Sequence, residues 1–265
     1  MFSFPQPPSA DAEMMEGCPV VQLSDSPQDL EYVLQALCQR EYVHFGEKLP
    51  LAIITAFLCL GRKYDIAKLY AEAYKKLYQE IPVTLAGYDA LQDWSVIETS
   101  RTLPLMIMAR KTGQLSILPY VYLTACTEFT IDDIFNGVRL VDEADTLTSF
   151  PVADQLAMLA GKSALSAFHV ETTYHNTVDA VLGCQTPISC SVGRESHTIQ
   201  EMSSTLLPSA PLDDWPHTLC DKMCEFCIAF SNTKHDARRK KFWDELPAMF
   251  RLPPWSELLK EKDGL

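Results

Sequence analysis

The chain has 265 residues, 47% of them hydrophobic, with a formal net charge of −13 at pH 7, so it is long enough to bury a core of one or two domains. This acidic balance argues against nucleic acid or an anionic membrane as a general partner, because either would require an excess of Lys and Arg on one face. No apolar run reaches the length of a transmembrane helix. The nine cysteines, with an N-terminus that lacks the pattern of a signal peptide, predict an intracellular protein of the cytoplasm or nucleus.

The first predicted elements are an extended lead-in, a strand and a helix. Residues 1–18 are rich in proline and acidic side chains, which favours extended structure. Val20–Leu23 is a short apolar run that predicts a strand, since so few residues cannot nucleate a helix. Ser26 can accept a hydrogen bond from the N–H of Asp29, and Pro27 is tolerated at the first helical position, so a helix is predicted to begin there.

Two further helices are predicted in the first third of the chain. Leu51–Leu60 is apolar on nearly all faces, which predicts a buried helix, and Gly61 is its predicted stop. Ile66–Leu77 carries an apolar stripe at helical spacing, and its helix is predicted to end before Pro82.

Residues 87–265 predict a series of helices with one loop-rich segment. That segment, 183–216, is rich in Ser, Thr, Pro and Gly, which favours turns and loops. The helices are located by their start and stop signals: from about Asp93 to Gly113, from Pro119, from Thr130 to Gly137, after Pro151, and from Cys220 onward. The predicted fold class is therefore mainly α, with at most one or two short strands and antiparallel helical neighbours.

No motif in the sequence predicts catalysis. Gly161-Lys162-Ser163 has the end of a phosphate-binding loop, but position 156, where such a loop needs glycine, is a leucine in a helical pattern. The six histidines form no HExxH helix, and no GxSxG elbow is present. We therefore expect a protein that is not an enzyme.

One basic run, Lys234–Lys241, has two interpretations. It could be a nuclear localisation signal or a patch for an acidic partner. In so acidic a chain we prefer a solvated helix face opposite Phe242 and Trp243.

The cysteines provide the candidate site. Cys224 and Cys227 form a CxxC pair, and Cys184 with Cys190 forms a second pair upstream, so the four could close a tetrahedral zinc site. The alternative is that Cys220, Cys224 and Cys227, at positions i, i+4 and i+7, occupy the buried stripe of a helix. The helical spacing favours this second interpretation, and no cofactor other than the zinc alternative is predicted.

The order of elements in the first third carries a family resemblance. A strand, a helix, an apolar helix and then Gly61–Ile66 leading into Leu69 and Ala73 resemble the second half of a BTB/POZ domain, in which a Lys-Tyr pair joins two helices. The closing segment FWDELPAMFRLPPWSEL, Phe242–Leu258, is similar to fungal BTB proteins with a helical extension.

This resemblance implies an organisation and a function. Residues 19–86 would be the C-terminal half of a BTB/POZ-like domain, the N-terminal half lying before Met1, and 87–265 a helical extension. The implied function is a non-catalytic protein–protein interaction module, adaptor-like, with another BTB chain as partner. Cullin binding is not expected, because Ile53-Ile54-Thr55 lacks the acidic residue of the cullin-contacting motif. The alternatives are a zinc-stabilised helical module of unknown role and a truncated BTB-derived chain without independent function.

Overall fold

The computed structural model describes residues 14–20, 22–39, 49–91, 102–139, 147–178, 181–203, 212 and 222–262. Within this part of the chain the fold is mainly α, as predicted. The helices are α1 Pro27–Cys38, α2 Leu51–Lys63, α3 Ala67–Glu80, α4 Leu85–Asp89, α5 Thr102–Thr112, α6 Leu118–Glu128, α7 Ile131–Asn136, α8 Val152–Val178, α9 Pro187–Ser203, α10 Glu225–Met249 and α11 Trp255–Leu258. No helix among the described residues is both long and apolar enough to cross a membrane.

Among the described residues the strands are short and occur in two antiparallel pairs. Strand β1, Met14–Met15, pairs with β2, Cys18–Pro19, and β3, Val138–Arg139, pairs with β4, Leu147–Thr148. The strand predicted at Val20–Leu23 is wrong: Val20, Gln22 and Leu23 lie outside any strand. The turn at Glu16 and Gly17, with φ of 50° and 80°, reverses the chain earlier than the apolar run suggested.

Two predicted helix starts are confirmed. Ser26 precedes α1 and its side chain accepts from the Asp29 N–H at 3.4 Å, with Pro27 in the first turn. Thr130 forms a capping box with Asp133, in which the Thr130 hydroxyl accepts from the Asp133 N–H at 3.1 Å. Gly137 then ends α7 with a φ of 91°, a conformation that favours glycine. The predicted helix start near Asp93 lies outside the described residues.

The predicted stop at Gly61 is wrong, because α2 continues to Lys63. Gly61 is buried against α3, and a Cβ there would lie 3.1 Å from the Cβ of Tyr70. The glycine therefore permits a close approach of two helices rather than a turn. The reversal comes later, at Asp65, whose φ is 55°.

Helix α6 lies at the centre of the main core. Nine of its 11 residues are buried, and it packs against α5, α8 and α10. One continuous cluster of buried side chains runs from Val33 in α1 to Leu246 in α10 and Phe250 just after it. The first helices and the last ones therefore share a core.

A buried polar network joins three helices of this core. Asp154 of α8 is fully buried, and it accepts from the Nε of Arg110 in α5 at 2.7 Å and from the hydroxyl of Tyr122 in α6. Pairing of this kind is what allows a carboxylate to sit in a core.

Gly161-Lys162-Ser163 lies within α8 and does not form a loop. A Cβ on Gly161 would lie 2.0 Å from Cε1 of Phe250, so the glycine makes room for a ring. Lys162 donates to the carbonyl of Cys126 at 2.8 Å. Gly161 and Lys162 therefore have structural roles, the first in packing and the second in a hydrogen bond between helices.

The basic run Lys234–Lys241 lies within α10. Arg238 is buried, with an Nη2 3.3 Å from Nδ1 of His169, and Arg239 contacts the carboxylate of Asp89. Lys240 and Lys241 are exposed, in agreement with a solvated face over part of the run.

Candidate metal centre

Four cysteine side chains converge at one point of the structure. The Sγ atoms of Cys184, Cys190, Cys224 and Cys227 all lie within 4.8 Å of one another. A tetrahedral site with Zn–S bonds of about 2.3 Å needs sulfurs about 3.8 Å apart. The thiols are therefore close to the spacing of a metal site, and a contraction of about 1 Å or less would complete it.

Each cysteine is placed by the start of a helix or by a turn. Gly183, with a φ of 88°, turns the chain directly before Cys184, whose N–H donates to the carbonyl of Val181 at 3.2 Å. Cys190 lies in the first turn of α9. Cys224 is the N-cap of α10 and Cys227 lies in its first turn.

Two sequence predictions are corrected at this site. The segment 183–216 is not a loop throughout, because α9 spans Pro187–Ser203. Cys224 and Cys227 do not lie on a continuous helical stripe, since α10 begins only at Glu225. Cys220, the third member of that proposed stripe, lies outside the described residues.

The sulfur of Cys190 receives two polar contacts. The backbone N–H of Cys224 donates to it at 3.2 Å, across 34 residues of sequence. The hydroxyl of Thr186 lies 3.1 Å from it. Donors of this kind orient metal ligands and stabilise the thiolate form, as outer-shell groups do in metalloproteins.

Helix α9 approaches the second cysteine pair closely at a glycine. A Cβ on Gly193 would lie 2.9 Å from Cγ of Met223 and 3.4 Å from Cβ of Lys222. The hydroxyl of Ser189 donates to the carbonyl of Lys222 at 3.0 Å. The backbone before α10 is therefore held against α9, which brings the two cysteine pairs together.

The environment lowers the pKa of two of the four thiols and raises that of the other two. The backbone N–H of Gln185, followed by that of Cys227, lowers the pKa of Cys224 to about 6. Only the second of these donors belongs to the N-terminus of α10. Burial raises the pKa of Cys190, but hydrogen bonds from Thr186 and Cys224 outweigh it and the net shift is downward.

The remaining two thiols favour the protonated form. Burial is the largest of the causes that raise the pKa of Cys227 and of Cys184. Cys227 has no exposed surface. A soft cation that binds the four sulfurs would therefore displace the protons of Cys184 and Cys227.

The site has a small core of its own. Val181 and Met223 pack with Cys190 and Cys227 in a cluster separate from the main core. A cluster so small contributes little hydrophobic stabilisation. Cys38, Cys59 and Cys126 are free cysteines that lie outside this group.

Sequence reasoning found the four cysteines but missed their supporting residues. Thr186 followed by Pro187 is a helix-start signal that could have located α9. Arg194, whose Nη1 lies 3.8 Å from the Sγ of Cys227, has no signal of its own in the sequence.

Comparison of the chain with protein-family models, with curated proteins and with solved structures finds no match. The BTB/POZ resemblance therefore stays a prediction that rests on residues such as Lys63 and Tyr64. Both contact Asp25: the Lys63 Nζ lies 2.7 Å and the Tyr64 hydroxyl 2.5 Å from its carboxylate. The pair fastens the end of α2 to the segment that precedes α1.

Proposed function

We propose that the chain is a non-catalytic helical module in which one structural zinc ion joins α9 to α10 through Cys184, Cys190, Cys224 and Cys227. The observation that carries the proposal is the convergence of four thiol sulfurs within 4.8 Å. Two of them come from a turn and the start of α9, and two from the start of α10.

The donor set favours zinc in a structural role. Thiolates are preferred ligands of structural zinc, and four protein ligands fill a tetrahedral shell without leaving a position for water or substrate. Cys190 and Cys227 have no exposed surface. Reduced thiols are required, which accords with the proposed location in the cytoplasm or nucleus.

The test is the zinc content of the purified protein, measured by native mass spectrometry after reconstitution under reducing conditions. We expect one zinc ion per chain, and we expect Cys190→Ser and Cys227→Ser to lose it. Cys38→Ser is the matched control, because Cys38 is an exposed thiol outside the cluster. A wild-type protein that holds no zinc after reconstitution would contradict the proposal.

A chelator provides a second readout. Binding free energy of a structural metal is folding free energy, so its removal should lower the melting temperature of the zinc-loaded protein by several degrees. Cys190→Ser should show no further decrease, since it has no metal to lose.

A second candidate function is protein–protein interaction of the BTB type, with another copy of the chain as partner. The supporting observation is the exposed apolar surface on and before α1, where Leu34, Leu37 and Leu23 are 56%, 53% and 48% exposed. Light scattering coupled to size-exclusion chromatography should then show a dimer that Leu34→Glu dissociates. Ile131→Glu, on α7, is the control, and a monomeric wild-type protein would remove this candidate.

Cullin binding is not part of the proposal. Ile53 and Ile54, at the position that corresponds to the cullin-contacting motif, are buried in the core with 9% and 2% exposure. Side chains in this state are not accessible to a partner.

A further inference from the structure

Arg194 lies beside the sulfur of one buried cysteine of the metal centre. It follows Cys190 by one helical turn on α9, so both side chains point to the same side of the helix. Its Nη1 lies 3.8 Å from the Sγ of Cys227, which belongs to α10. The guanidinium group therefore spans from the helix of the first cysteine pair to a ligand of the second.

The negative charge of a zinc-loaded centre would favour a cation at the position of Arg194. Four thiolates and one Zn²⁺ carry a net charge of −2, and the chain already has a formal net charge of −13. Glu195 directly follows Arg194 in the sequence, and Glu225 directly follows Cys224. Both glutamates are exposed and add negative charge near the site. A half-buried dianion in these surroundings is stabilised by a nearby cation.

The two buried sulfurs, those of Cys190 and Cys227, have different polar neighbours. Cys190 has the hydroxyl of Thr186 and the N–H of Cys224 within 3.2 Å. Cys227 lies within 3.8 Å of Arg194. An arginine offers several fixed N–H donors together with a permanent charge, so it can both orient this ligand and offset the charge of the centre.

We propose that Arg194 is a positioning residue that increases zinc affinity by placing its positive charge and an N–H donor on the thiolate of Cys227. The proposal deepens the zinc-binding function and rests on it. Removal of an outer-shell partner typically weakens metal binding by about 10- to 100-fold. The expected loss for Arg194→Gln lies in that range.

The experiment measures the zinc dissociation constant of the full chain by competition with a chromophoric chelator. Arg194→Gln should bind zinc about 10- to 100-fold more weakly than the wild-type protein. Arg194→Lys, which keeps the charge, should recover most of the affinity. Lys222→Gln is the matched control, because it removes an exposed cation next to Met223 and Cys224 without removing a contact to sulfur. This variant should change the zinc dissociation constant less than about threefold.

A spectroscopic readout separates this role from a general loss of structure. With Co²⁺ in place of zinc, Arg194→Gln should keep the thiolate-to-metal absorption and the tetrahedral bands of the wild-type protein, which shows that all four ligands remain. An unchanged zinc affinity in Arg194→Gln would overturn the inference, as would equal losses in the Gln, Lys and Lys222→Gln variants. A wild-type protein that binds neither metal would overturn the proposed function, and this inference with it.

Discussion

The Oε2 of Glu261 accepts a hydrogen bond from the backbone N–H of Leu115 at 2.9 Å, across 146 residues of sequence. Its Oε1 accepts from the N–H of Ser116 and from the hydroxyl of Tyr78, both at 2.8 Å. These N–H groups belong to the 3-10 turn before α6 and have no partner within a helix of their own. A carboxylate from the end of the described chain thus caps the central helix.

Glu261→Ala should lower the free energy of unfolding by about 1–3 kcal/mol. Hydrogen bonds to a charged acceptor are lost, and the N–H groups of half-buried Leu115 and buried Ser116 are left without it. Urea denaturation followed by circular dichroism would measure the change. Glu257→Ala is the control, since Glu257 is exposed on the preceding turn. Equal stability of the two variants would show that the cap contributes nothing.

Asp154→Ala should cost about 3 kcal/mol of stability, because it removes the partner of Arg110 inside the core. We expect a value at the low end of the range for buried pairs, since the Arg110 side chain is 37% exposed and water can solvate it in part. Asp244→Ala breaks a pair with Lys240 in which both partners are exposed, and should cost about 0.5 kcal/mol or less. Thermal denaturation of both variants provides the comparison.

Gly161→Ala should destabilise the protein by about 1–3 kcal/mol, although alanine is the better helix former, because the new methyl group would overlap the ring of Phe250. Ser163→Ala, at an exposed position of the same helix, should be neutral or slightly stabilising. Phe250→Leu in the Gly161→Ala background should recover part of the loss. If it does not, the ring is not the source of the strain.

Asp25 should make the stability of the protein depend on pH in the acid range. The hydrogen bond from Lys63, followed by that from Tyr64, lowers the pKa of Asp25 below its ordinary value of 3.8. A carboxyl whose pKa is lower in the folded state contributes stability that is present above the unfolded value and lost as the pH falls through the folded one. Below about pH 4, the melting temperature of Asp25→Asn should therefore fall less steeply than that of the wild-type protein.

Asp236→Asn is the control for this pH experiment, because Asp236 lies exposed on α10. Its acid-range slope should match that of the wild-type protein. Parallel slopes in all three proteins would contradict the assigned role of Asp25.

Signals that depend on sequence neighbours were sufficient to predict several helix ends. The starts at Ser26 and Thr130 and the end at Gly137 depend on side chains and dihedral angles within a few residues. Gly61 was misinterpreted because its role depends on Tyr70 in the next helix, and composition cannot show which backbone approaches another. The high Ser and Thr content of α9 likewise concealed a helix that tertiary contacts stabilise.

The candidate site was predictable as a set of residues but not as an arrangement. Spacing identified two cysteine pairs, yet nothing in the sequence shows that Cys190 and Cys224 meet across 34 residues. The helical-stripe interpretation assumed that the last long helix begins before Cys224, whereas it begins directly after it. Arg194 could be recognised only once the position of Cys227 was known.

The shared core has a consequence for synthesis of the chain. Phe57 of α2 and Tyr120 of α6 are buried in the same cluster as Phe250, and the chain leaves the ribosome from its N-terminus. The apolar helices of the first half are therefore complete while the helix that covers them has yet to be translated. These apolar surfaces stay uncovered until α10 and Phe250 have left the ribosome, so the native core can close only after that point.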